Sequence, residues 1–128
     1  MSAPNLHLLV IGLGSAGKRH ARNLRALGCT VSGFDPRADR QQEAAAEGPL
    51  ASTFGNLEEA LKTTAFDGFV IASPPAFHID QIIAAGAGFH KRNRAHIGVH
   101  RLTAWVETLK VAASRNQRRF SIFIKAAI

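Results

Sequence analysis

One stretch near the amino terminus limits the folds open to this chain more than any other: Leu6 to Asp35, LHLLVIGLGSAGKRHARNLRALGCTVSGFD. It opens with an apolar run, Leu6 to Ile11, interrupted only by His7, as expected of a parallel strand covered on both faces. Gly12-Leu13-Gly14-Ser15-Ala16-Gly17 ends that run, and helical periodicity takes over from Ala16. Ala16, His20, Leu24 and Leu27 fall on one side of the expected helix, and Lys18, Arg19, Arg22 and Arg25 take the other. Gly28 suits a left-handed cap. Cys29 to Phe34 then reads as a second strand with β-branched residues, ending at Asp35-Pro36.

Strand, glycine turn, helix, strand and acid, in that order, make half of a dinucleotide-binding site. Gly12 allows the sharp turn out of the strand, Gly14 lets a pyrophosphate approach the backbone, and Gly17 permits close packing of helix on strand. Free N–H groups at the helix start, around Ser15 and Ala16, bind phosphate with help from the helix dipole. Asp35 is placed to accept hydrogen bonds from the adenosine ribose, which favours NAD, because its charge repels a 2′-phosphate. Arg37, two residues on, either pairs with that phosphate and admits NADP or sits in solvent.

Two other readings of the turn compete. Gly12-x4-Gly17-Lys18 satisfies most of a P-loop, but the next residue is Arg19, where a magnesium-ligating Ser or Thr is required. The strand at Phe66 to Ser73 also ends in Ala72-Ser73 and lacks an acidic metal ligand, so the NTPase reading is set aside. A methyltransferase holding a nucleoside cofactor at a similar turn stays as the rival. Ser15 is better explained by phosphate contact than by nucleophilic attack, and no nucleophilic catalytic set stands out.

Further along, Asp39 to Gly48 is a polar, alanine-rich helix ended by Pro49, and Ala51 to Phe54 is a short strand. Asn56 caps a helix with Glu59 three residues on, a capping-box arrangement with Leu57, Ala60 and Leu61 facing inward. Phe66 to Ser73 is the fourth strand, bounded by Pro74-Pro75. A helix from about Ala76 to Ala87 is expected to bury Ile79, Ile82, Ile83 and Ala87. Strands alternating with helices at this spacing argue for right-handed βαβ units. The expected architecture is α/β, a Rossmann-like doubly wound, mostly parallel sheet in a single domain. A fifth strand is due after Gly88, where the chain instead reads FHKRNRAHIGV; an amphipathic helix follows through Leu102, Trp105, Val106 and Leu109, and FSIFI at Phe120 to Ile124 reads as a last strand.

These residues resemble the N-terminal domain of the glucose-fructose oxidoreductase and inositol dehydrogenase (Gfo/Idh/MocA) family. The resemblance lies in VIGLGSAGKRHARNLRALG, the strand ending in FDP, and the strand-loop FDGFVIASPPAFHID, and it spans about residues 6 to 88. It implies a nicotinamide dinucleotide cofactor and hydride transfer to or from a polyol, sugar or related small substrate. In that family the loop after the fourth strand lines the nicotinamide side of the cleft, and Ser73, Pro74, Pro75 and His78 occupy its positions here. His20 also matches the family pattern, although packing on the first helix accounts for it better. The family's Glu-Lys-Pro motif, whose lysine takes part in substrate binding and proton transfer, is missing. HKRNRAHIG stands in its place, and Lys91 does not match. The chain ends at Ile128, where the family's substrate domain would begin, so the resemblance implies a cofactor-binding part with no catalytic residue of its own.

Charge divides the chain at the same point. Residues 1–89 hold 7 Lys and Arg against 8 Asp and Glu, whereas residues 90–128 hold 9 against 1, so the excess of +7 comes from the second part. Either this is a natural variant, or the frame has been read out of register between about His90 and Thr103 and again near the C-terminus. Lys91, Arg92, Arg94, Arg101, Arg115, Arg118 and Arg119 lack a recognition helix or interleaved aromatics, so nucleic-acid recognition is not expected. His90, His96 and His100 have no Cys or carboxylate partner at ligand spacing, so no metal is expected. Neither a signal peptide nor a membrane span is expected, and the single cysteine, Cys29, suits a reducing cytoplasm. The alternative to an enzyme's cofactor domain is a non-catalytic nucleotide-sensing or interaction module, a homo-oligomer sealing its sheet with the last helix and strand.

Overall fold

The computed structural model describes residues 6–92 and 122–125. In chain order they form β1 (His7–Ile11), α1 (Ser15–Ala26), β2 (Thr30–Phe34), α2 (Ala38–Glu47), β3 (Thr53–Phe54), α3 (Leu57–Thr63), β4 (Gly68–Ile71), α4 (His78–Arg92) and β5 (Ile122–Lys125), with a single 3-10 turn at Pro75–Phe77 leading into α4. The sheet order is β3-β2-β1-β4-β5. The first four strands are parallel, in the register Leu8↔Val31 between β1 and β2 and Leu8↔Gly68 between β1 and β4.

Both faces of the sheet are covered because strand residues alternate between two cores. Leu9 and Ile11 of β1, with Phe69 and Ile71 of β4, pack with Ala60 of α3 and with Ile82 and Ala85 of α4. Val10, Val31 and Val70 point the other way, onto Ala21 of α1 and Ala44 of α2. A strand buried on both faces has no polar face to alternate, which is why β1 and β4 are nearly continuous apolar runs. This is the expected doubly wound α/β architecture.

Helix ends follow local chemistry. Asn56 accepts the Glu59 N–H at 2.9 Å to start α3. Gly28, at φ 88°, follows α1 and lets the Cys29 N–H return to the Leu24 carbonyl at 3.0 Å. Lys18 on α1 stands 3.6 Å from Glu43 and 3.4 Å from Glu47, tying α1 to α2.

Several expectations are corrected. Leu27 is exposed, because α1 ends at Ala26 and buries Gly17 and Ala21 instead. On α4 Ile82 is buried as expected, and His78 and Ala85 are buried with it, whereas Ile79 and Ile83 are 59% and 57% exposed; the side chain of Ala87 lies outside the described residues. The third strand is confined to Thr53–Phe54. No fifth strand begins at Phe89, since α4 continues to Arg92. The strand beside β4 is instead β5, and it runs antiparallel, with Gly68↔Lys125 and Ile71↔Ile122 in register. The expected helix around Leu102–Leu109 and the basic residues from Arg94 to Arg119, with His96 and His100, lie outside the described residues.

Candidate functional site

The site is built at the carboxyl ends of β1, β2 and β4, where the sheet order reverses direction and crossovers leave to opposite faces, a position at which open α/β sheets bind ligands. Leaving β1, the chain turns at Gly12 with φ 97°, a conformation side chains resist, and the Gly12 N–H bonds the Phe34 carbonyl at 2.8 Å. A Cβ at Gly12 would stand 2.6 Å from the Ser73 backbone nitrogen. A Cβ at Gly17 would stand 1.7 Å from the Gly12 carbonyl oxygen. Helix α1, the glycine turn and the β4 loop are therefore stacked on one another through bare backbone. Leu13, fully buried, drives its side chain over Gly33 of β2 and anchors the turn in the core beside α1 and α2.

At the start of α1 the cap is Gly14, with no side-chain hydrogen bond and no acidic residue in the first turn. The N–H groups of Ser15, Ala16 and Gly17 thus have no helical acceptor and meet the cleft uncapped. A Cβ at Gly14 would approach only the Arg40 guanidinium, at 3.6 Å, so the backbone there faces open space. These features fit the phosphates of a dinucleotide.

Asp35, 3% exposed, follows β2. One carboxylate oxygen accepts the Leu13 N–H at 2.9 Å, and the other accepts the Arg37 N–H at 2.9 Å. Each oxygen keeps a lone pair for a ribose hydroxyl. The same carboxylate lies 3.8 Å from Arg40 Nη1, and the Asp35 carbonyl accepts from Gln41 Nε2 at 2.8 Å. Arg37, by contrast, is held at the surface by Asp39, with Nε to Oδ1 at 3.1 Å and Nη2 to Oδ2 at 2.5 Å. That pairing raises the affinity of Arg37 for its proton and lowers the Asp39 carboxyl below its usual range.

On the far side, Ser73, Pro74 and Pro75 form the opposite wall, with Phe77 and Gln81 beyond them. His78 does not line the cleft. It is 4% exposed and lies beneath the loop, its Nε2 donating to the Ser73 carbonyl at 2.5 Å. The carbonyl can only accept, so Nε2 carries the hydrogen. The Ser73 hydroxyl is held by Gln81 Oε1 from the next turn of α4. Two α4 side chains therefore clamp the loop that touches Gly12.

The result is one open cleft of about 800 Å³ that brings together Gly12, Gly14, Ser15, Ala16, Asp35, Arg37, Ser73, Pro74 and Pro75. Gly17 lies under it as a packing contact. Sequence reasoning missed Arg40, Leu13 and Gln81. Arg40 sits in the first turn of α2 immediately after the strand that ends in the acid, and that placement was the available signal. Among the described residues no three His, Cys, Asp or Glu side chains gather as metal ligands, and no helix is long and apolar enough to cross a membrane.

A family model described as an oxidoreductase family with an NAD-binding Rossmann fold matches residues 6–91, which takes in every element that builds this cleft. The chain belongs to this Gfo/Idh/MocA family. Its described part is the family's NAD-binding Rossmann domain, and NAD is the cofactor of that domain. An inositol 2-dehydrogenase of Leifsonia xyli is 36% identical over 80 residues, 60% of this chain and 23% of the relative. One from Corynebacterium glutamicum is 33% identical over 84 residues, 63% of this chain and 25% of the relative. The chain thus spans about a quarter of the length of the curated relatives it matches. Among solved structures, myo-inositol 2-dehydrogenase from Lactobacillus plantarum superposes with a TM-score of 0.61 at 27% identity, over 66% of this chain and 26% of that one. The scyllo-inositol dehydrogenase of Lactobacillus casei with bound NAD(H) and scyllo-inositol, 23% identical with a TM-score of 0.61 over 66% of this chain and 26% of that one, shares the fold.

Proposed function

We propose that the cleft holds a nicotinamide dinucleotide with its pyrophosphate on the uncapped start of α1 at Gly14, Ser15 and Ala16, its adenosine ribose at Asp35, and its nicotinamide toward Ser73-Pro74-Pro75. The observation that carries this is the juxtaposition, in one cleft, of a bare helix N-terminus and a buried carboxylate with spare acceptor capacity. Gly12 and Gly17 serve by packing, and His78 serves by holding Ser73.

The wider role is that of the cofactor-binding part of an oxidoreductase acting on a polyol, sugar or related small substrate, a reading supported by the inositol 2-dehydrogenases among its relatives. When bound, the nicotinamide supplies hydride acceptance or donation, and the protein positions it. Oxidising a hydroxyl also requires a base for its proton. Among the described residues, those at the β4 end of the cleft, Ala72, Ser73, Pro74, Pro75, Phe77 and Gln81, include no titratable side chain. On this reading the base and the substrate contacts are supplied from outside the described residues, and residues 1–128 by themselves are expected to bind cofactor weakly and turn over nothing. A reducing cytoplasm suits the one free cysteine, Cys29.

Calorimetric titration of the 128-residue chain with NAD, NADP and S-adenosylmethionine tests the reading. NAD is expected to bind and S-adenosylmethionine is not. Binding of S-adenosylmethionine alone would return the site to the methyltransferase reading. Robust polyol dehydrogenase activity from this chain alone would overturn its incompleteness. The same empty acid–base register also suits a nucleotide-sensing module or homo-oligomer. NAD-dependent association in sedimentation velocity, with no turnover after a family substrate domain is added, would favour that alternative.

A further inference from the structure

The acidic residue that ends β2 is not alone at the adenosine end of the cleft. Arg40 extends from the first turn of α2 until its Nη1 lies 3.8 Å from Asp35 Oδ2, and across the mouth it is the only side chain that a Cβ on Gly14 would meet, at 3.6 Å. Its side chain is 38% exposed, so the guanidinium borders both the carboxylate and open cleft. Arg37 has its Nε and Nη2 committed to the two oxygens of Asp39. Arg37 and Asp39 cancel each other at the surface, whereas Arg40 and Asp35 cancel each other inside the cleft.

We propose that Arg40, and not Arg37, sets this site's discrimination between NAD and NADP, and that it makes the site accept both. The inference rests on the cofactor reading of the cleft and deepens it. A ribose held at Asp35 presents its 2′ position to that carboxylate. A phosphate there adds a charge of about −1.5 to −2, which a lone carboxylate repels. Arg40 offsets the carboxylate's charge. Its planar fork also keeps donors beyond the one facing Asp35, and these form charge-assisted hydrogen bonds to phosphate oxygens. Arg40 is partly solvated, so its guanidinium is free to turn toward a 2′-phosphate. With NAD, the same side chain stays on Asp35 and the ribose hydroxyl takes the free lone pair.

The test uses the 128-residue chain and four ligands, NAD, NADP, 5′-AMP and adenosine 2′,5′-bisphosphate, titrated into wild type, Arg40→Gln, Arg40→Lys and Arg37→Gln. The bisphosphate and AMP differ only by the 2′-phosphate, so their ratio isolates the group in question from the nicotinamide end. Wild type is expected to bind NADP within about tenfold of NAD. Arg40→Gln is expected to weaken NADP and the bisphosphate by about tenfold relative to NAD and AMP, with Arg40→Lys between the two. Arg37→Gln is expected to leave both ratios unchanged. Matching thermal melts of the variants show that the exposed substitutions leave the fold intact. The proposal is overturned if Arg37→Gln moves the ratio, if Arg40→Gln weakens all four ligands equally, or if wild type prefers NAD by a thousandfold or more. Binding of none of the four would overturn the cofactor reading itself and this inference with it. Binding of NAD with an unmoved ratio in Arg40→Gln would overturn only the inference.

Discussion

Replacing Asp35 with alanine should destabilise the ligand-free protein as well as weaken its hold on NAD, because the carboxylate is also a strut. It accepts the Leu13 and Arg37 N–H groups at 2.9 Å each, and so joins the glycine turn to the start of α2. Leu13 is fully buried, so its orphaned N–H would cost about 1–3 kcal/mol. The Arg37 N–H lies nearer the surface, where water replaces the lost acceptor for about 0.5–1 kcal/mol. The Arg40 contact, solvated on one side, adds no more than about 1 kcal/mol. Together these predict a loss of roughly 1.5–5 kcal/mol. For a domain of this size that corresponds to a fall in melting temperature of roughly 5–25 °C. Calorimetry and urea denaturation without ligand read it directly. Asp35→Asn keeps one acceptor and should lose about half as much. An alanine variant that melts within about 2 °C of wild type while losing NAD would show that Asp35 serves the ligand alone and that the strut reasoning is wrong.

Gly17→Ala puts a methyl group 1.7 Å from the Gly12 carbonyl, where only backbone can give way, and should cost about 3 kcal/mol with NAD binding lost in parallel; urea midpoints unchanged from wild type would refute the packing account. A dependence of stability on pH is also expected. His7, bonded through Nε2 to Ser32 Oγ at 2.7 Å, is held below its ordinary value of 6.5, chiefly by burial, with Asp67 partly opposing. The unfolded chain therefore takes up the proton first, so stability is complete above about pH 6.5 and falls as the pH drops toward the lowered folded value. Denaturation at pH 7.5 and 5.5 should show this, and His7→Gln should shrink the difference; equal slopes in both proteins would refute it.

How much of this was legible in advance differs from element to element. Period and composition sufficed where a residue's environment is set by its own strand or helix. The run Leu6–Ile11, the change to helical spacing from Ala16 and the cap at Asn56 each emerged close to where they were read, because burial on both faces, helix amphipathicity and capping are local constraints. Ile79 and Ile83 went wrong for the opposite reason. A helix with apolar residues over more than half its circumference does not declare which of them the sheet will cover, and the placement of α3 beside α4 decided for Ile82 and Ala85.

The site divides the same way. The glycine turn and Asp35 were visible because their spacing reflects the length of one βαβ unit and the chemistry of a phosphate at a helix start. The direction of β5 was not visible, since an apolar run such as Phe120–Ile124 pairs equally well either way and only the path of its connection settles the matter. Nor could spacing show that Arg40 reaches Asp35 while Arg37 turns to Asp39, or that His78 supports the cleft from beneath its wall. Sequence alone determined the fold class and the placing of the glycine turn and Asp35 at the strand ends, since both are written in local periodicity and short-range chemistry. Which cation shares the carboxylate, and which side chains merely brace the loops, depends on residues brought together from separate elements, and that only the tertiary structure decided.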